Sequence, residues 1–130
     1  MPSFRFPKSS RLNLRKEINA LFISGNSFNV FPYRIIYQAG SKGPAPVMMA
    51  IAVPKKNIRL ATNRNRIKRQ TREAWRLNNH SLKSCLENKN ITLRVLLVYN
   101  GKELPEYANL HSKIILILQR LQEVHESIVD

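Results

Sequence analysis

The chain is poor in the residues from which most protein active sites are built. Among its 130 residues are one cysteine, Cys85, one aspartate, the terminal Asp130, and three histidines, His80, His111 and His125. One cysteine closes no internal disulfide, and with no Cys or His at ligand spacing a zinc site is not expected; ordinary packing is the reading for Cys85. A nuclease that works through protein-bound metal needs clustered carboxylates. The seven glutamates are instead scattered, with Glu17, Glu73 and Glu87 in separate segments. No Ser, His and Asp set suggests nucleophilic catalysis. No apolar run reaches the ~18–20 residues of a membrane span, and MPSFRFPKSSR at the start lacks the apolar centre of a signal peptide. The expectation is a soluble, cytoplasmic protein without a side-chain active site of its own.

Acidic residues number eight and basic residues 22, a net charge of +14. A positive field of that size calls for a polyanionic partner, nucleic acid first and anionic membrane second. The charge is uneven. Residues 55–76 alone carry nine basic residues and one acidic, whereas residues 101–130 carry three and five, so the partner should meet one face. With 43% hydrophobic residues over 130 positions, the chain can bury one core and reads as a single domain. Residues 1–12, polar and basic with Pro2 and Pro7, read as a flexible arm.

Leu14, Ile18, Leu21 and Phe22 recur at helical spacing up to Gly25, predicting a first helix. Asn29 to Gln38 alternates and is rich in aromatic and β-branched residues, predicting a strand; a further short strand near Ser27 is left open. Phe31, Tyr33 and Tyr37 there could be core or could offer stacking faces, with core the first reading for Phe31. Gly40 to Pro46 reads as a turn rather than the GxxG phosphate clamp of a KH domain, and Val47 to Val53 as a second strand pairing with the first in a hairpin. A basic helix follows, from Asn63 to about Asn78. Ile91 to Tyr99 is an almost unbroken apolar run, which predicts a strand buried on both faces. Leu110, Ile114, Ile117, Leu118, Leu121, Val124 and Ile128 trace one stripe of a last helix. The order α-β-β-α-β-α implies an α+β sandwich of one small mixed sheet against helices.

On a wheel, Leu60, Ile67, Thr71, Ala74 and Trp75 share one sector, and Arg64, Lys68, Arg72 and Arg76 form a ridge beside it, with Asn65 and Arg69 outside. Same-sign neighbours four apart repel, and Arg64 and Arg66 crowd the turn where the helix dipole disfavours cations. Only Glu73 compensates locally. A bound polyanion would neutralise this arrangement, and the planar guanidinium fork suits phosphate.

The segment AIAVPKKNIRLATNRNRIKRQTREAWR, Ala50 to Arg76, resembles the signature of the bacterial ribonuclease P protein component: a strand, a KK pair, then a helix opening with RNRIKR. Weaker similarity runs upstream through LRKEINALFISGNSF. The resemblance implies a subunit that binds a catalytic RNA and assists removal of the 5′ leader of precursor tRNA, with magnesium serving the RNA chemistry and neither DNA nor membrane as partner. It implies a left-handed crossover around the motif helix. It assigns Arg64, Asn65, Arg66, Lys68, Arg69 and Arg72 to the catalytic RNA. Lys55 and Lys56, with Ile18, Phe22 and Tyr37 in a cleft between the first helix and the sheet, fall to the single-stranded leader. Ile18 stands where the family often has Phe, which keeps an apolar contact but removes one stacking face. Two other readings stand beside this one: a structural or ribosome-associated RNA-binding protein with no role in cleavage, and a basic membrane-surface protein. Neither accounts for the KK to RNRIKR spacing.

Overall fold

The computed structural model describes the backbone of residues 15–126 and the side chains of residues 18–125; the N-terminal arm and Ile128 lie outside them. The elements are α1 (Arg15–Ser24), β1 (Asn26–Val30), β2 (Tyr33–Ser41), β3 (Val47–Ala52), α2 (Ala61–Asn78), α3 (His80–Glu87), β4 (Ile91–Tyr99) and α4 (Tyr107–Glu126). This is a four-stranded mixed sheet with four helices, the α+β architecture expected. The strand near Ser27 is present as β1. It parts from β2 at Phe31-Pro32, where proline has no N–H to give a ladder.

The expected hairpin between the second and third strands is not formed. The strand order is β1-β2-β4-β3, so β4 lies between β2, its antiparallel neighbour, and β3, its parallel one. The reason is burial. β4 carries Leu93, Val95, Leu97 and Tyr99 on one face and Leu96 and Val98 on the other, and a central strand covers both. The stretch read as a hairpin turn, Gly40 to Pro46, gives its first two residues to β2 and otherwise crosses the end of β4. There the Thr92 hydroxyl donates to Ala45 O at 2.8 Å and accepts the Gly43 N–H at 2.6 Å. The parallel pair β3 and β4 is joined through α2 and α3. The short helix α3 was not expected; its apolar signal is only Leu82 and Leu86, both buried.

Two clusters fill the two sides of the sheet. On one, Tyr33, Ile35, Met49, Val95 and Leu97 pack with Ile67, Ala74 and Trp75 of α2, Leu82 and Leu86 of α3, and the Leu110 to Leu121 stripe of α4. On the other, Leu21 and Ile18 of α1 meet Ile36, Met48 and Leu96. Leu60, expected in the buried sector of α2, is 63% exposed, because it is the extended N-cap residue (φ −82°, ψ 128°) and the helical face begins after it. Phe31, expected in the core, is 74% exposed at the β1–β2 turn.

Candidate nucleic-acid interface

α2 is anchored so that its basic side stays outward. Ile67, Thr71, Ala74 and Trp75 are buried, and the Tyr33 hydroxyl shares a 2.6 Å hydrogen bond with Thr71 Oγ1, tying the helix to β2. Burial pushes the Tyr33 hydroxyl well above the ordinary tyrosine range, against a smaller lowering from Thr71. At the far end Asn78 Nδ2 donates to Ala74 O at 2.7 Å and hydrogen-bonds His111 Nε2 of α4 at 2.8 Å. Outward, Asn65, Arg66 and Arg69 are exposed, and Lys68 and Arg72 are half-buried along the flank. Arg66 points about 160° away from Lys68 around the helix axis, so a ligand touching both must cover the whole exposed arc. Glu73, the one carboxylate of α2, is paired with Arg76 at 3.2 Å. Arg64 differs from the rest of the motif: its Nη1 donates to Ile58 O at 3.0 Å and Arg59 O at 2.8 Å.

Lys55 and Lys56 sit exposed in the turn after β3 and, with Arg59 and Leu60, line one open depression. On the α1 side of the sheet, Phe22 is 55% exposed one turn beyond Ile18, which is packed against the minor core. Ala50, Ala52 and Val98 are only half-buried on the same face, so the sheet beside α1 keeps an open floor. Tyr37 is not brought together with Ile18 and Phe22. It lies on the opposite sheet face, edge-on to Phe28 at 5.8 Å and to His125 of α4 at 6.2 Å. Side chains alternate along a strand, and the residue of β2 that faces α1 is the preceding one, Ile36, buried against Leu21. Sequence reading missed Arg34 and Arg94, which share that face through the register Arg34↔Val98 and Gln38↔Arg94. Their odd parity relative to Tyr33 and Tyr99 was the available signal.

Among the described residues, no group of three or more His, Cys, Asp or Glu is placed to hold a metal ion, and no helix is long and apolar enough to cross a membrane. Fold and surface define a small α+β domain that turns one basic helix face, with Arg66 and Arg69 exposed, toward solvent. A family model for ribonuclease P matches residues 6–122. The ribonuclease P protein component of Porphyromonas gingivalis strain W83 is 42% identical over 107 residues, covering 82% of this chain and 78% of its own. That of Chlorobium phaeobacteroides is 34% identical over 123 residues, covering 84% of each chain. Solved structures of the RNase P proteins of Staphylococcus aureus and Thermotoga maritima share the fold. Each has a TM-score of 0.66, with 15% and 23% identity; they cover 87% and 85% of this chain and 95% and 98% of their own. The chain belongs to the bacterial ribonuclease P protein family. Its place is that of a protein subunit of the endoribonuclease that matures the 5′ end of tRNA, in which the RNA carries out catalysis.

Proposed function

We propose that the two sides of the sheet divide the work of the subunit. The exposed arc of α2, through Asn65, Arg66, Lys68, Arg69 and Arg72, docks on phosphates of the catalytic RNA. The open floor beside α1, with Ile18 and Phe22 on its wall and Lys55 and Lys56 at its end, takes the single-stranded leader of precursor tRNA. The observation that carries this reading is topological. α2 packs on one face of the sheet and α1 on the other, and the loop from Pro54 to Leu60 joins the last residues of β3 to the first turn of α2. A ligand on each side can therefore meet at the KK pair. Apolar and aromatic surface beside the strands suits unpaired bases, which stack with little regard to sequence. The proposal places magnesium with the RNA, where it screens two polyanions that must approach each other, and assigns it no protein ligand. It also places the complex in the cytoplasm.

The test is reconstitution with a ribonuclease P RNA at low magnesium. Leader removal should be stimulated, and the stimulation should grow with leader length until the groove is filled. RNA binding without any stimulation would instead favour a purely structural RNA-binding role.

A further inference from the structure

Arg64 opens the RNRIKR core, yet its side chain turns back into the protein. Half-buried, it uses one guanidinium nitrogen to hold the carbonyls of Ile58 and Arg59 at 3.0 and 2.8 Å. The loop so held has other restraints. The N–H groups of Asn57 and Ile58 bond to Pro54 O at 3.0 and 3.2 Å, the buried Asn57 Nδ2 donates to Tyr99 O at 3.2 Å, and Ile58 enters the main core. What this fixed loop presents is Lys55, Lys56 and Arg59, all exposed, around an exposed Leu60, with no carboxylate among the described residues that line the depression they form. Three cations held together without a counter-charge repel one another, and a bound anion relieves that repulsion.

We infer that Arg64 is a positioning residue for this loop. We further infer that Arg59 and Leu60 complete, with Lys55 and Lys56, a site for one nucleotide unit of an unpaired strand. The phosphates lie on the three cations and a base or ribose lies against Leu60. This rests on the reading that the loop meets the precursor. It differs from the motif-based expectation, in which Arg64 grips the catalytic RNA itself.

The experiment uses the reconstituted holoenzyme, with precursor affinity and protein–RNA affinity each measured across a salt series. Arg59→Ala, at an exposed position, should weaken precursor binding about fivefold and lower its salt slope by about 0.7, with affinity for the catalytic RNA unchanged. Arg64→Ala should weaken precursor binding as well, yet leave the salt slope for the catalytic RNA at its wild-type value. It should add no further loss in a Lys55→Ala/Lys56→Ala/Arg59→Ala background, and Arg64→Lys, still able to reach a carbonyl, should restore part of the loss. The positioning role is overturned if Arg64→Ala lowers the catalytic-RNA slope by about 0.9 and its effect adds fully to the triple variant. The nucleotide site is overturned if Arg59→Ala matches wild type while Lys55→Ala/Lys56→Ala weakens precursor binding. If Lys55→Ala/Lys56→Ala also matches wild type, the loop does not meet the precursor and the underlying reading fails with it.

Discussion

Individual side chains here separate into those that hold the helix and those proposed to meet RNA, and the two kinds should give opposite signatures. Thr71→Val leaves the Tyr33 hydroxyl buried without its 2.6 Å partner and should cost about 1–3 kcal/mol in urea unfolding. Tyr33→Phe should cost less, since Thr71 can turn its hydroxyl to a helix carbonyl. Tyr33 also sets a pH dependence. Burial raises its ionisation above that of an unfolded tyrosine, so the native state keeps a proton that the unfolded chain loses. Its contribution is intact below about pH 10 and fades as pH rises beyond that value. Tyr33→Phe should therefore lose less stability than wild type between about pH 8 and pH 11. Phe22 is the contrasting case. Phe22→Ala should weaken precursor binding by about 1–3 kcal/mol and leave mature tRNA affinity unchanged, whereas Tyr37→Ala, on the other sheet face, should lower stability without a leader-dependent effect. Ile18→Phe should strengthen the leader contact.

At the scale of the element, α2 combines one buried stripe with an outer arc rich in basic residues, on which its one carboxylate, Glu73, is paired with Arg76. Replacing Arg66, Lys68, Arg69 or Arg72 by Ala should each lower the salt slope of catalytic-RNA binding by about 0.7–0.9, with helicity retained because alanine is the best helix former. A fourfold variant with an unchanged slope would place the RNA elsewhere. Trp75→Ala works through the other stripe: a fully buried ring is removed, and a loss of about 3–5 kcal/mol should be read in thermal unfolding. The helix is thus legible as amphipathic from its residues alone. Its cap is not, because Leu60 fits the apolar stripe by spacing and falls outside it only because the chain enters extended.

Taken whole, the molecule is a scaffold that sets the basic face of α2 and the open floor beside α1 on opposite sides of one sheet, the two surfaces proposed to meet RNA. Protein free of RNA should cleave no precursor, and Glu73→Gln or Glu87→Gln should leave holoenzyme turnover near wild type at saturating magnesium. Metal-dependent cleavage by the protein alone, abolished by either change, would relocate the catalyst to a carboxylate.

Much of this architecture follows from local pattern. The stripe of α4, the doubly apolar β4 and the charged face of α2 are each written in consecutive residues, whose periodicity reports burial directly. Strand order is different, because β3 pairs with whichever strand gains most from a neighbour, and that strand, β4, comes from beyond two helices. The faces of Tyr37 and Ile36 depend on register, where a slip of one residue exchanges the two sides of the sheet. Arg64 reads as one more phosphate ligand until the path of residues 54–60 brings two carbonyls to its guanidinium. Sequence by itself determined the charge, the resemblance to the family and the strongly periodic elements, though not the short helix α3, and it left β1 open. Tertiary structure decided which side chains share a surface, because that depends on contacts between segments far apart in the chain, which no local periodicity encodes.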